Sequence, residues 1–375
     1  MLIKNCKIIY KDEIELGSVL IENNKISKIN PSKVNDDVVI DGGGLYLSPG
    51  FIDIHIHGAG GFDTMDGTYE AINNISKTIM NHGTTSFLPT TMTCSDSDIR
   101  KAVEAITEAI NRGTEGAEVL GAHLEGPFIS SEMIGAQNPK YIQAPSIDSF
   151  KKLVGENKNT IISITLAPEV PGALELIEYL DKEGIIASIG HSKGTFEDAI
   201  KGIACGITHS THLFNAMTGF HHREAGVVGA VFNSDITTEV ICDGIHISYP
   251  SLKIAFNQKT TDKVILITDA MMACGMAEGT YSLGGQEVFV KDNAARLENG
   301  ALAGSILTLD KAVKNLHQNT SYELHEIIKM ATYNPAKFCN VHHKKGLIKE
   351  GYAADLILFD ENINVKKVMV GGRFL

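Results

Sequence analysis

Between about residues 51 and 345 the chain alternates apolar runs of strand length with stretches of helical length, and this alternation constrains the fold more than any other feature. Candidate strands fall at 51–57, 85–88, 119–124, 161–166, 185–190, 207–213, 238–242 and 264–268. Candidate helices lie between them, among them 69–81, 96–111, 172–183 and 196–205. Strands that alternate with helices build a parallel sheet. Eight such units predict an α/β fold, a closed (β/α)8 TIM barrel rather than an open sheet. A hairpin-like stretch at Gly284-Gly285 and two helices near 305–316 and 322–330 follow.

The two ends read differently. Short β-like runs occupy 2–3, 7–10, 18–21 and 25–29, broken by Gly17 and Asn23-Asn24. The C-terminal end repeats the pattern at 354–359 and 365–370, with a turn at Gly371-Gly372. The expectation is a small β-sandwich module formed by both termini, residues 1–50 plus 346–375, beside a barrel domain of residues 51–345. A hydrophobic content of 43% supplies the core this plan needs and excludes disorder as the main state.

Charge removes further classes. Lysine and arginine number 33 against 45 acidic residues, a formal net charge of −12. A broad nucleic-acid or anionic-membrane surface is excluded on that balance, although a local pocket for one small anion is not. The start Met1-Leu2-Ile3-Lys4 meets charge at once, and no run of about 18 apolar residues occurs, so neither a secretory signal nor a membrane span is expected. The six cysteines are scattered without a CxxC pair and read as reduced thiols of a cytoplasmic protein.

The ionisable residues carry the chemistry. His55 and His57 close the first strand, Glu125 follows the third, His191 the fifth, His212 lies at the end of the sixth and Asp269 ends the eighth. Each falls where a barrel gathers its active site, at a strand's C-terminal end. Singly they are ordinary. His-x-His is a loose pattern, His191 and His212 read equally well as core histidines, and Asp269 as a helix N-cap before Ala270-Met271-Met272. Their coincidence at one rim is what points to a divalent metal, Zn or Fe, held by imidazoles and carboxylates with open positions left over. Such an ion activates water and polarises a carbonyl, and a neighbouring carboxylate can move the proton. That is machinery for hydrolysing an amide or related C–N bond.

The segments that carry these residues resemble a known family. The run from Pro49 to Gly58 is similar to the opening signature of the amidohydrolase superfamily, and Gly351-Tyr352-Ala353-Ala354-Asp355-Leu356 to its return into the β module. More narrowly, His123–Phe128, Gly190-His191-Ser192, the run from Thr211 to Met217, Asp243–His246, Thr268–Met271 and Leu302–Ser305 together resemble the N-acetylglucosamine-6-phosphate deacetylase family, in order along essentially the whole chain. The resemblance implies removal of acetate from N-acetyl-D-glucosamine 6-phosphate. It implies that Glu125, His191 and His212 hold the principal ion, that Asp269 is the general base and acid and also a metal contact, and that His55 and His57 help hold a second ion with Glu125 bridging. One or two ions per subunit follow. Asn215, Ala216 and Arg223 match phosphate-binding positions, His246 a substrate contact, and Leu302, Ala303 and Gly304 the sugar pocket. Arg223 would reach a neighbouring subunit's site, which implies a homodimer. Many relatives carry Gly-Ala-His where this chain has Gly135-Ala136-Gln137. Ala136 and Gln137 are therefore expected at the substrate, Gln137 donating to a sugar hydroxyl or acyl oxygen without charge.

Three alternatives stay open on sequence. One is the same reaction on N-acetylgalactosamine 6-phosphate. Another is a cyclic-amide hydrolase or deaminase, although the fourth strand runs into Ala167-Pro168-Glu169 without the lysine expected of dinuclear cyclic-amide hydrolases. The third is a metal-binding barrel scaffold without catalysis, which would have no need of Asp269.

Overall fold

The computed structural model describes residues 1–32 and 38–374. Eight parallel strands form the barrel: Phe51–Ile56, Thr84–Thr91, Ala122–Glu125, Ile161–Leu166, Ile186–Ile189, Ile207–Ser210, Thr237–Ile241 and Val264–Ile267. Each pairs in parallel with its successor. The ring closes between the eighth and first strands, where Asp269 N donates to His55 O at 2.9 Å and His57 N to Ala270 O at 2.8 Å. The closure is thus made by main-chain bonds at residues that also carry the candidate chemistry.

The strands are buried nearly throughout, as strands covered by helices must be. A helix follows every strand, from Tyr69–Met80 to Leu309–Asn319. Asp96–Arg112 shows why they form. Ser95 caps it by accepting from Asp98 N, Asp96 and Asp98 lie in the first turn and Arg112 in the last, which suits the helix dipole. Ile99, Ala102, Val103, Ile106 and Ala109 recur at helical spacing and are buried against the barrel.

Sequence and structure differ mainly at strand ends. The second strand extends to Thr91 through Pro89. The third breaks at Gly121 into Glu118–Val119 and Ala122–Glu125. The sixth and eighth stop earlier than expected, at Ser210 and Ile267, because the residues beyond them turn into the barrel mouth. The helix expected near 305–316 begins at Leu309. Ser305 instead stitches the eighth loop, its N donating to Asp269 O at 2.7 Å and its hydroxyl to Thr268 O at 2.6 Å. The hairpin-like stretch is a three-stranded sheet, Gly279–Leu283, Gln286–Lys291 and Ala294–Arg296.

Both termini build a separate eight-stranded sheet, in which Tyr46–Pro49 pairs with Leu356–Phe359. Gly17, expected as a break, lies inside the strand Ile14–Glu22. The sheet wraps round its own core. Ile3, Ile8, Val19 and Ile26 share one cluster with Leu356, Leu358 and Met369, and Lys25 bridges to Ala353. From its other face Ile357, Phe359 and Val368 join the barrel core.

One buried cation pins the two parts together. Lys345, 5% exposed, contacts Asp355 and lies 2.6 Å from Glu118 at the barrel edge. Asp355 in turn accepts from Gly371 N at 2.7 Å, and its carbonyl from Gly50 N at 2.8 Å. Lys345→Met is expected to strand Asp355 without its cation and to cost about 3 kcal/mol, seen as a lower urea midpoint. Adding Asp355→Leu should return part of that loss; an unchanged midpoint in the single variant would show that the pair contributes nothing.

Candidate metal centre and substrate cavity

The six expected residues converge. Glu125 Oε1 lies 3.0 Å from both His191 Nε2 and His212 Nε2, and those two nitrogens are 3.2 Å apart. Ligands at about 2.0 Å around a tetrahedral ion are about 3.3 Å from each other, so this spacing fits one. Glu125 Oε2 lies 3.1 Å from His57 Nε2, which is 3.2 Å from Asp269 Oδ1. His55 Nε2 is 3.6 Å from both Glu125 Oε1 and Asp269 Oδ1. It is buried and has no hydrogen-bond partner, the state expected of a lone pair aimed at a cation. Glu125 thus faces both halves of the cage, Oε1 toward His191, His212 and His55 and Oε2 toward His57. Among the described residues, Glu125-His191-His212 and His55-His57-Glu125 each bring three donors together, and so does His55-His123-Glu239 below them.

Local backbone aims these side chains. His191, His212 and Asp269 all have positive φ, +48°, +25° and +49°. Asp269 caps no helix, so the N-cap reading falls away. Gly126, which follows Glu125, has φ +78°, and a Cβ there would lie 2.2 Å from Thr93 Oγ1; only glycine lets the chain leave the third strand this way. Ring orientation is set from behind. His57 Nδ1 faces Thr90 O at 3.2 Å and His191 Nδ1 faces Met133 O at 2.8 Å. A carbonyl only accepts, so each ring carries its proton on Nδ1 and offers Nε2 to the cage.

The electrostatics ask for a cation. Burial pushes His57 down, but hydrogen bonds to Asp269 and Glu125 outweigh it and hold it at about 9. Burial likewise opposes the charged form of His55, yet the carboxylates of Glu239, Asp269 and Glu125 hold it well above its ordinary value. Burial would lift Glu125, but the surrounding imidazoles keep it well below the usual carboxylate range. Asp269 is lowered against burial by His55 and His57. Without an ion, protons on histidine balance the buried carboxylates; a divalent ion would replace them.

Above the cage opens a cavity of about 400 Å³. Its lining includes Ala136, Gln137, Asn215, Ala216, His246, Leu302 and Gly304. His246 is fixed through Nδ1 by Asp243 Oδ2 at 2.6 Å. Two expectations change. Ala303 is fully buried in the cluster beneath the three-stranded sheet, and its N–H is engaged by Ala295 O. Gln137 turns its carboxamide to the cage instead of leaving it free for a sugar: Nε2 donates to Glu125 Oε2 at 2.6 Å, and Oε1 accepts from Thr93 N at 2.7 Å. Arg223 is not brought to the cage. It is exposed, beside His222 Nε2 at 2.8 Å, and lines a different cavity with Phe220 and Lys193.

Comparison with known proteins agrees with this geometry. The sequence model of the amidohydrolase family matches residues 46–375. The chain belongs to the amidohydrolase family. It is 43% identical to the N-acetylglucosamine-6-phosphate deacetylase of Lysinibacillus sphaericus, over 89% of this chain and 86% of that protein. It is 34% identical to the N-acetylgalactosamine-6-phosphate deacetylase of Escherichia coli O157:H7, over 87% of each. The crystal structure of N-acetylglucosamine-6-phosphate deacetylase from Pasteurella multocida superposes with a TM-score of 0.95 at 34% identity, covering 100% of this chain and 99% of that one. Glu125 faces the cage from the third strand, while Glu169, after the fourth, is engaged elsewhere, by Ser192 Oγ at 2.7 Å and Lys193 N at 2.6 Å.

Sequence reasoning missed a layer beneath the cage. Glu239, His123, His209 and Asp53 are all 1% exposed. A signal existed for Glu239, a lone charge in Thr237-Thr238-Glu239-Val240-Ile241, a strand that a barrel buries on both faces. A pH dependence of metal uptake follows from the cage. If His57 ligates an ion, that ion displaces a proton from it below about pH 9, so affinity should fall as pH falls. Zinc added to chelator-stripped protein in weak buffer at pH 7 is expected to release protons, and apparent affinity to rise toward pH 9. Uptake independent of pH would remove His57 from the ligand set.

Proposed function

We propose that the protein hydrolyses the acetamide of N-acetyl-D-glucosamine 6-phosphate, giving D-glucosamine 6-phosphate and acetate. One observation carries this reading: Glu125, His191 and His212 meet within 3.2 Å of one another, with the Asp269 carboxylate beside them under a sugar-sized cavity. The relatives named above as deacetylases of N-acetylhexosamine 6-phosphates support it.

Glu125, His191 and His212 would hold the principal ion, zinc or iron, and His55 and His57 with Glu125 a second. Such an ion supplies Lewis acidity, polarising the amide carbonyl and lowering the pKa of water. The rest falls to the chain. Asp269, ionised and 12% exposed, takes the proton from the attacking water and returns it to the departing nitrogen, so that the amine leaves neutral. His246, its Nδ1 held by Asp243, presents its other ring nitrogen to the substrate. Asn215, Ala216, Ala136, Leu302 and Gly304 shape the pocket, and Gln137 acts there through its bond to Glu125.

The phosphate needs a cation. No lysine or arginine lines the cavity among the described residues, and Glu132 adds a further carboxylate to its wall. Arg223 on its exposed loop fits the role from a second copy of the chain, its guanidinium suited to a two-pronged phosphate contact. A homodimer is therefore part of the proposal. Six cysteines, none of them paired with another, support a cytoplasmic setting.

Purified protein should release acetate from the 6-phosphate of N-acetylglucosamine, more slowly from that of N-acetylgalactosamine, and from neither after chelation; the reverse order would assign the other epimer. Asp269→Asn is expected to keep bound metal while turnover falls about 10²–10⁴-fold. Normal turnover in that variant would end the assigned role, whereas absence of turnover in the parent itself, with metal bound, would favour an inert metal-binding barrel. Arg223→Ala should raise KM for the phosphorylated sugar far more than for the unphosphorylated one. Equal losses on both would remove the phosphate contact.

A further inference from the structure

Glu239 lies inside the seventh barrel strand, 1% exposed, and no step above uses it. A carboxylate there must be compensated by donors. Its Oε2 accepts from His55 Nδ1 at 3.0 Å and from His212 N at 3.2 Å, while Oε1 faces His209 Nε2 at 3.2 Å. Burial would lift its pKa, but His55 and His209 hold it well below the usual range, so it is an acceptor and nothing else.

An acceptor-only partner fixes the proton of each donor that faces it. His55 must present Nδ1–H to Glu239, which leaves Nε2 bare and aimed between Glu125 and Asp269. His57 and His191 receive the same instruction from main-chain carbonyls. His55 alone among the cage histidines takes it from a side chain. The nearby His123 has its Nε2 engaged by Thr165 Oγ1 at 2.7 Å and its buried Nδ1 without a partner, but both Glu239 oxygens already have donors, so this layer is read as a support and not as another ion site.

We infer that Glu239 is the positioning residue of the second ion site: it holds the ring and tautomer of His55, and through the negative charge on its acceptor oxygen makes His55 Nε2 a stronger ligand. The inference rests on the two-ion reading of the cage, and the experiment separates the two. Full-length protein is stripped with a chelator and titrated with zinc against a chromophoric competitor, with bound ions counted by native mass spectrometry, in unmodified, His55→Asn and Glu239→Gln forms. Two ions in the unmodified protein and one in His55→Asn establish the two-ion reading by themselves. Glu239→Gln keeps an acceptor oxygen but not the charge. It is expected to weaken one ion about tenfold and leave the other within about threefold, with circular dichroism and melting close to the parent.

Two ions bound by folded Glu239→Gln as tightly as by the parent, or both weakened equally, would overturn the positioning role while the two-ion reading stood. A single ion in the unmodified protein would overturn both. A second readout needs no change at Glu239. In zinc-loaded, ¹⁵N-histidine-labelled protein, the His55 signal, assigned by its loss in His55→Asn, should show a protonated Nδ1 and a metal-bound Nε2. Zinc on Nδ1 would refute the inference.

Discussion

A single buried carboxylate organises this molecule's chemistry. Glu125 ends the third strand, and its two oxygens face imidazoles from the first, fifth and sixth strand ends at 3.0–3.6 Å. Isolated in a barrel interior, such a charge would be costly by several kcal/mol. Here the same barrel that buries it also brings the histidines that compensate it. Residues as far apart in sequence as His55 and His212 depend on it, and it depends on the ring being closed. The closure bonds fall at His55, His57, Asp269 and Ala270, so the geometry of the cage and the integrity of the barrel are the same fact.

Behind Glu125 lies a graded set of supports. Main-chain carbonyls orient His57 and His191, a carboxylate orients His55, and the amide of Gln137 braces the free edge of Glu125. Asp53 extends the pattern one layer further. Burial lifts it to about 7, and it accepts from Thr268 Oγ1 at 2.6 Å, just before the loop that carries Asp269. Thr90, Glu239 and Asp53 give their support from inside barrel strands, while Met133 and Gln137 give theirs from the loop after the third strand, and together they hold the ligand atoms in place.

What the sequence disclosed follows from the range of the interactions involved. Strand–helix alternation is local, so the eight units and the C-terminal placement of His55, His57, Glu125, His191, His212 and Asp269 could be read directly. Strand ends could not. Nothing in the residue types at 207–213 or 264–268 marks a stop; the left-handed backbone at His212 and Asp269, where the chain turns into the mouth, is not legible in them. Gln137 was expected at the substrate because it stands where many relatives carry histidine, and its bond to Glu125, twelve residues away on another element, leaves no mark in the sequence. Ala303 was legible only as part of its motif; which of three consecutive residues faces a cavity depends on the sheet packed against them. Glu239 and His209 were passed over because a buried polar pair shows no motif, only a charge where a strand should have none.

The same turns bear on whether this cage stores metal or uses it. A non-glycine residue at positive φ costs about 1–3 kcal/mol where nothing compensates it. His191 and His212 in that conformation serve either purpose, since both would ligate in an inert cage. Asp269 does not. The histidines and Glu125 already suffice to surround an ion, yet the chain strains a further residue at φ +49° and stitches it in place through Ser305 N and His55 O. Its carboxylate is left 12% exposed while Glu125 is left 3%. A storage site gains nothing from a strained acid at its one open face. A hydrolytic site requires an ionised carboxylate that touches both the cage and the space where water and substrate meet, and the position of Asp269 meets that requirement.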